Sequence, residues 1–129
     1  MINKYSKLLP SIALLCAFTV DAEVMLKDSS EIQGKWNLYA EASTLDGEKK
    51  NVNIEWDFTQ NGIIKTTATD TRGRTEEMKI DVAYKIEDGV IKKELAPGRG
   101  KFESCKVVDK SDTDMTIKCT FQYFFLTRK

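Results

Sequence analysis

The chain has 129 residues, with 20 basic and 20 acidic side chains, three cysteines and no histidine. This is a one-domain length. The balanced charge argues against a nucleic-acid-binding protein and against a strongly basic membrane-surface domain. Without histidine, a zinc site would need carboxylates and thiolates alone, so no metal site is predicted.

Residues 1–22 are predicted to form a cleavable secretory signal. Two lysines precede the apolar run Leu8–Phe18, and small or branched side chains lead to Ala22, after which a signal peptidase would cut. The run is shorter than the roughly 20 residues that a bilayer-spanning helix needs. The mature chain would then be residues 23–129, periplasmic or secreted, with no integral membrane segment.

In an exported chain, the two remaining cysteines are expected to pair. Removal of the signal would leave Cys105 and Cys119, and an even pair in an exported chain indicates a disulfide. The alternative is a membrane anchor through a lipid on Cys16. The residue before it, Leu15, is bulkier than is usual at a lipoprotein processing site.

Alternation of apolar and polar side chains predicts five strands in residues 31–95. The first strand carries one buried face, formed by Ile32, Gly34, Trp36, Leu38 and Ala40. Tight turns at Gln60–Gly62 and Glu87–Gly89 separate later strands. The five predicted strands are Glu31–Glu41, Val52–Thr59, Ile63–Thr71, Met78–Ile86 and Val90–Leu95. No segment shows a convincing amphipathic helix, and the only candidate is Val24–Ser30.

The last part of the chain predicts a hairpin of defined register. The stretches Lys101–Asp109 and Met115–Phe121 flank a polar turn. Centring that turn on Asp112 places Val107 opposite Ile117 and Cys105 opposite Cys119. Directly opposed residues of antiparallel strands are within reach of a disulfide, so the cysteine spacing and the turn agree. A final strand at Tyr123–Arg128 completes eight.

Eight short strands joined mainly by tight turns predict an all-β fold, either one sheet closed on itself or a small sandwich. Sequential hairpins favour the first, an eight-stranded antiparallel up-and-down barrel. Closure of the sheet removes the exposed edges that an exported protein must otherwise protect.

The order of several motifs resembles the small bacterial lipocalin-like (calycin) domains. Gly34-Lys35-Trp36 resembles the Gly-X-Trp signature, and Tyr84–Ile91 and Lys106–Ile117 resemble the central and penultimate hairpins. The resemblance covers about residues 31–129 and includes the terminal Arg128. It implies that Trp36 plugs the closed end of the barrel, that Arg128 stacks on it, and that Gly34 lets the chain pass close by. The alternative is that Trp36 is an ordinary core residue.

Catalysis finds little support in the sequence, and we expect no enzyme and no cofactor. There is no histidine to act as a base, and no serine lies in a recognisable nucleophile elbow. Asp109, Asp112 and Asp114 crowd one turn, but their spacing does not match the known calcium loop.

The favoured function is binding of a small apolar or amphipathic ligand inside the barrel. The predicted lining residues are Trp56, Phe58, Ile80, Tyr84, Ile117 and Phe121, of which Trp56 and Tyr84 could orient a ligand through polar atoms. The small residues Thr66, Ala68 and Thr69 could leave space. Because the chain is shorter than most lipocalins, the alternative is an interior filled by these side chains.

The alternative function is a protein–protein role, as a periplasmic inhibitor or interaction protein that acts on a hydrolase through a barrel loop. Two basic turns, Arg72–Arg74 and Pro97–Gly100, could present an arginine to such a partner. For both segments, a turn that carries solubilising charge is the favoured interpretation.

Overall fold

The computed structural model describes residues 23–69 and 77–129, in which eight antiparallel strands form a closed barrel. The predicted signal segment, with Cys16, and the Arg72–Arg74 turn lie outside the described residues. The strands are β1 (Gly34–Ala42), β2 (Lys50–Phe58), β3 (Ile63–Ala68), β4 (Met78–Glu87), β5 (Val90–Glu94), β6 (Phe102–Lys110), β7 (Asp114–Lys118) and β8 (Tyr123–Arg128).

Each strand pairs with its neighbours in sequence, and β1 pairs with β8 to close the sheet. The predicted all-β, up-and-down barrel is therefore confirmed. The turn between β4 and β5 uses Asp88 and Gly89, with φ of 53° and 79°. Two adjacent positive φ angles match the twist of a two-residue hairpin, which explains the Asp-Gly sequence there.

The register predicted for the last hairpin is also confirmed. Val107 lies opposite Ile117, and Cys105 and Cys119 form a disulfide with their Cα atoms 4.1 Å apart. The pairing shifts by one residue between Val107 and Asp109, so a bulge separates this part of the ladder from the turn.

The candidate helix at Val24–Ser30 does not form. Val24 instead pairs with Val107 of β6 through a 2.8 Å backbone hydrogen bond, and the Leu26 N–H donates to Gly89. Only Ser29–Glu31 forms a helical turn, of the 3-10 type. Because β6 extends beyond the short β5, its edge would otherwise hold unpaired backbone groups, and the N-terminal segment covers them.

A bulge in β1 corrects the predicted face of Ala40. The pairing of β1 with both β2 and β8 shifts between Leu38 and Ala40. Trp36 and Leu38 belong to the main core, whereas Ala40 packs with Phe125 in a separate cluster. Because Phe125 lies between two main-core residues of β8, this second cluster is on the outer wall of the barrel. Alternation alone gives no sign of an inserted residue.

No helix within the described part of the chain is long and apolar enough to cross a membrane.

Candidate functional site

One end of the barrel is closed by Trp36, which is fully buried. Its indole N–H donates to the carbonyl of Ile32 at 2.8 Å. The Arg128 guanidinium lies over the indole, 4.2 Å from the ring centroid. A cation over an indole face is attracted by the ring electrons.

Arg128 also joins three parts of the chain at this closed end. Its guanidinium donates to the carbonyls of Glu31 and Gln33, at 3.2 and 2.9 Å, and to that of Asp112 at 3.2 Å. Gly34 has φ of +111°, and a Cβ there would lie 3.4 Å from the guanidinium. The chain therefore passes close to Arg128 in a conformation that favours glycine.

Four of the predicted lining residues are buried in the barrel interior: Trp56, Phe58, Tyr84 and Ile117. Phe58 packs edge-on against both Trp56 and Tyr84, with centroids 6.0 and 5.2 Å apart. The Tyr84 hydroxyl donates to the Thr59 carbonyl at 2.8 Å, toward the closed end. Burial raises the pKa of this hydroxyl, so it stays neutral at physiological pH. Its polar atom is thus already partnered within the protein.

The other two predicted lining residues do not belong to the buried interior. Phe121 is 83% exposed, because β7 ends at Lys118 and residues 119–122 form the turn to β8. The Cys119 N–H donates to the Gln122 carbonyl and closes this turn. Ile80 is 36% exposed. It alternates with Val82 on the inner face, but it lies near the start of β4, where the barrel opens.

We call the half of the barrel beside loops 43–49, 95–101 and 119–122 the open half. At the closed end Trp36 is fully buried, although Ile86 beside the Asp88-Gly89 turn is only partly buried. The inner face of the open half carries several side chains that are only partly buried. They include the apolar Val52, Ile54, Val82 and Phe124 and the small Thr66 and Ala68. The predicted small residues of β3 therefore lie on the inner wall, with the exception of Thr69, which follows the strand.

The open half also holds an ion pair that was missed at the sequence level. The Lys93 ammonium lies 3.0 Å from the Glu103 carboxylate, and the two side chains are 14% and 9% exposed. Lys93 is paired with Tyr84 across β4–β5, and with Glu103 across β5–β6. Because Tyr84 is an inner-face residue, both charged residues face the interior.

Several groups surround this pair. The Glu103 carboxylate also accepts from the Thr120 N–H at 3.1 Å. Burial raises the pKa of Glu103, but the bonds from Lys93 and Thr120 and the attraction of Lys93 outweigh it, and the net pKa lies below its usual value. Lys93 Nζ lies 5.8 Å from the Trp56 ring centroid. The Glu103 carboxylate is therefore ionised at neutral pH, and the ion pair lies beside an aromatic face.

Glu103 also lies near both cysteines, with the Glu103 oxygen and the two sulfurs within 4.8 Å of one another. Because the sulfurs are joined in a disulfide, neither is a thiolate that could bind a metal ion.

A sequence signal for this pair existed. Lys93 is two residues after the buried Ile91, and Glu103 is two residues before the buried Cys105. Period-two alternation places each on the inner face of its strand. The signal was missed because charged side chains are usually expected to face the solvent.

A second buried carboxylate shapes the loop that carries Arg99. Glu94 accepts from the Ala83 N–H at 2.8 Å and from the Gly100 N–H at 3.1 Å. These two bonds hold the pKa of Glu94 below its usual value. Loop 95–101 is closed further by the Leu95 N–H, which donates to the Lys101 carbonyl. The exposed Arg99 is thus presented on a braced turn.

Lowering the pH is expected to loosen this loop. A lowered carboxyl pKa means that its stabilisation is complete above the ordinary value of 4.5 and is lost as the pH falls below it. We expect the Ala83 and Gly100 amides to lose hydrogen-exchange protection, corrected for intrinsic rates, over that range. Glu94→Gln should remove the pH dependence, whereas Glu48→Gln, in an exposed loop, should retain it. Equal pH profiles for both variants would contradict this role for Glu94.

The outer wall carries charges in a checkerboard. Asp57 lies opposite Lys35 and Lys65, and Lys65 lies opposite Asp81. These residues line a shallow depression of about 540 Å³. Alternating opposite charges on neighbouring strands favour strand pairing and keep this face solvated. The residues named here do not form an arrangement suited to catalysis.

Comparison with known proteins gives a fold but no family. No family model matches this chain, and no curated protein matches it. A crystal structure of an uncharacterized protein from Bacteroides eggerthii DSM 20697, at 2.60 Å resolution, is similar, with a TM-score of 0.61 and 17% identity. The match covers 75% of this chain and 98% of that chain. The similarity is one of fold.

Proposed function

We propose that this chain is an exported, non-catalytic lipocalin-like protein that binds a small apolar or amphipathic molecule in the open half of the barrel. The observation that carries the proposal is the difference between the two halves. One end is sealed by Trp36 and Arg128, while the inner face of the other holds half-buried apolar side chains. An eight-stranded barrel is wide enough to hold one small ligand.

Trp56 offers a direct test of where a ligand binds. It lies on the inner face, 5.4 Å from Phe124 between ring centroids, next to the open half. We expect titration with the neutral apolar dye N-phenyl-1-naphthylamine to quench tryptophan emission and to increase dye fluorescence. Trp56→Phe should lose most of the quenching, because Trp36 lies at the closed end. Dye binding without any change at Trp56 would contradict an interior site.

A second candidate function is supported by loop 95–101. The Glu94 carboxylate braces the loop around the exposed Arg99, and Leu95 beside it is exposed as well. A braced loop that presents an arginine and an apolar side chain suits insertion into a partner's pocket. Because the loop is already ordered, it loses little conformational entropy on binding. The corresponding function is inhibition of a periplasmic hydrolase.

Arg99→Ala separates the second candidate from the first. Assays of purified periplasmic hydrolases should show inhibition by the native protein and at least about tenfold weaker inhibition by the variant, as expected for an arginine anchor. Lys79→Ala, on the outer wall, serves as the control. Equal inhibition by both variants, or none by the native protein, would count against this function.

A further inference from the structure

We propose that the Lys93–Glu103 ion pair anchors the head group of the ligand, and that this head group is uncharged and bears an acceptor oxygen, as in an amide, an ester or an alcohol. The ligand would then be a neutral amphipathic molecule rather than a fatty acid anion. This inference rests on the proposed function and names the chemical class that the open half would take.

The ion pair is an exception among the side chains of the barrel interior. The barrel interior is otherwise almost entirely apolar, and the end of the barrel is closed by other residues. Taking two charges out of water has a cost that their attraction often fails to repay, and apolar replacements of similar volume are commonly neutral or stabilising. A nearly buried pair in such an interior therefore points to a role in recognition.

The donors and acceptors of the two side chains show which hydrogen bonds the pair can make with a ligand. An ammonium has three N–H donors, while an ionised carboxylate can only accept. Glu103 already accepts from Thr120 and faces Lys93. Glu103 takes up one donor direction of Lys93, and the remaining N–H groups are left for an acceptor atom. A ligand oxygen would complete the coordination of the ammonium beside the face of Trp56.

The charge balance of the open half determines which oxygen fits. A ligand carboxylate bound to Lys93 would lie close to the Glu103 carboxylate, and like charges repel strongly away from water. Toward the rim, Glu41 lies opposite both Phe124 and Lys50, so that inner-face pair is balanced too. On the described strands, each of the two inner-face lysines of the open half, Lys50 and Lys93, thus lies opposite a carboxylate.

Two probes of equal chain length test the choice of head group. Decanamide and decanoate differ only in the head, and decanoate is ionised at pH 7. We expect decanamide to displace the neutral dye at least about tenfold more tightly from the native protein, because even 1.4 kcal/mol of repulsion corresponds to that ratio. Tighter binding of decanoate would overturn the proposal.

Glu103→Gln should reverse this preference. The substitution keeps the size of the side chain and leaves Lys93 without its counter-charge, so decanoate would supply the missing negative charge. We expect decanoate to bind the variant more tightly than decanamide does. An unchanged preference would show that the pair does not contact the head group.

A double variant separates binding from stability. Lys93→Met combined with Glu103→Leu should melt at the native temperature or above, while each single change alone should lower it. The double variant should keep the neutral dye and lose its preference for either head group.

If the double variant binds both probes as the native protein does, the head-group inference fails and the proposed function stands. If the native protein binds neither dye nor probe, the proposed function fails as well. Should the double variant not fold, the Glu103→Gln comparison decides alone.

Discussion

Trp36→Ala is expected to lower the free energy of unfolding by about 3–5 kcal/mol, the usual range for truncating a large buried aromatic side chain. Trp36 is fully buried and donates a hydrogen bond to Ile32. The loss would be a large fraction of the 5–15 kcal/mol that stabilises a typical domain. Urea unfolding followed by circular dichroism measures it. Leu45→Ala, at an exposed loop position, is the control and should change little.

The stack between Trp36 and Arg128 can be isolated by a double-mutant cycle. Arg128→Met removes the charge and three hydrogen bonds to carbonyls while keeping most of the side-chain volume. We expect the two substitutions to be non-additive by roughly 0.5–2 kcal/mol, the range for a cation over an aromatic face. Additive losses would mean that the guanidinium acts only through its hydrogen bonds. A loss below about 1 kcal/mol for Trp36→Ala, far short of the range for such truncations, would mean that the indole is not the plug.

Removing the disulfide is expected to cost about 3 kcal/mol. Cys105 and Cys119 are 14 residues apart, and a loop of about 15 residues loses roughly that much unfolded-state entropy when closed. Replacement of both cysteines by alanine should lower the midpoint of urea unfolding. Treatment of the native domain with dithiothreitol should produce a similar shift, and should leave the variant unaffected.

The same variant tests whether the disulfide organises the open half. Thr120 directly follows Cys119 and donates to Glu103, two residues before Cys105. Loss of the covalent link should therefore weaken protection of the Thr120 amide more than that of the Leu26 amide, which donates to Gly89 at the closed end. An unchanged midpoint would show that strand pairing alone sets the register of this hairpin.

The strands were largely predictable because one-sided burial produces strict alternation. Met78–Glu87 shows this over ten residues, and the Asp88-Gly89 turn after it has few alternatives. The register of the last hairpin was predictable because two cysteines gave an independent distance constraint.

The errors have two physical origins. At Ala40 and Phe121 the backbone departs from regular pairing, through a bulge and an early turn, and side-chain chemistry does not encode such departures. At Val24 a non-local partner, the free edge of β6, decides the conformation of a short segment. Local propensity is a weak guide where tertiary contacts compete with it.

The candidate site was only half predictable. Apolar inner-face residues such as Trp56 follow from alternation, whereas Lys93 and Glu103 contradict the expectation that charges face water. A charged residue at an inner-face position breaks the alternation of apolar and polar side chains and lowers stability. Such exceptions concentrate at functional sites.

The central claim is that the barrel holds a molecule in its open half. Native mass spectrometry of the protein, purified from cells without denaturation, tests it most directly. The account predicts an adduct with the mass of a small amphipathic molecule, released on collisional activation and reduced in the Lys93→Met, Glu103→Leu double variant. A native protein that carries no adduct, and that gains none after incubation with decanamide, would contradict it.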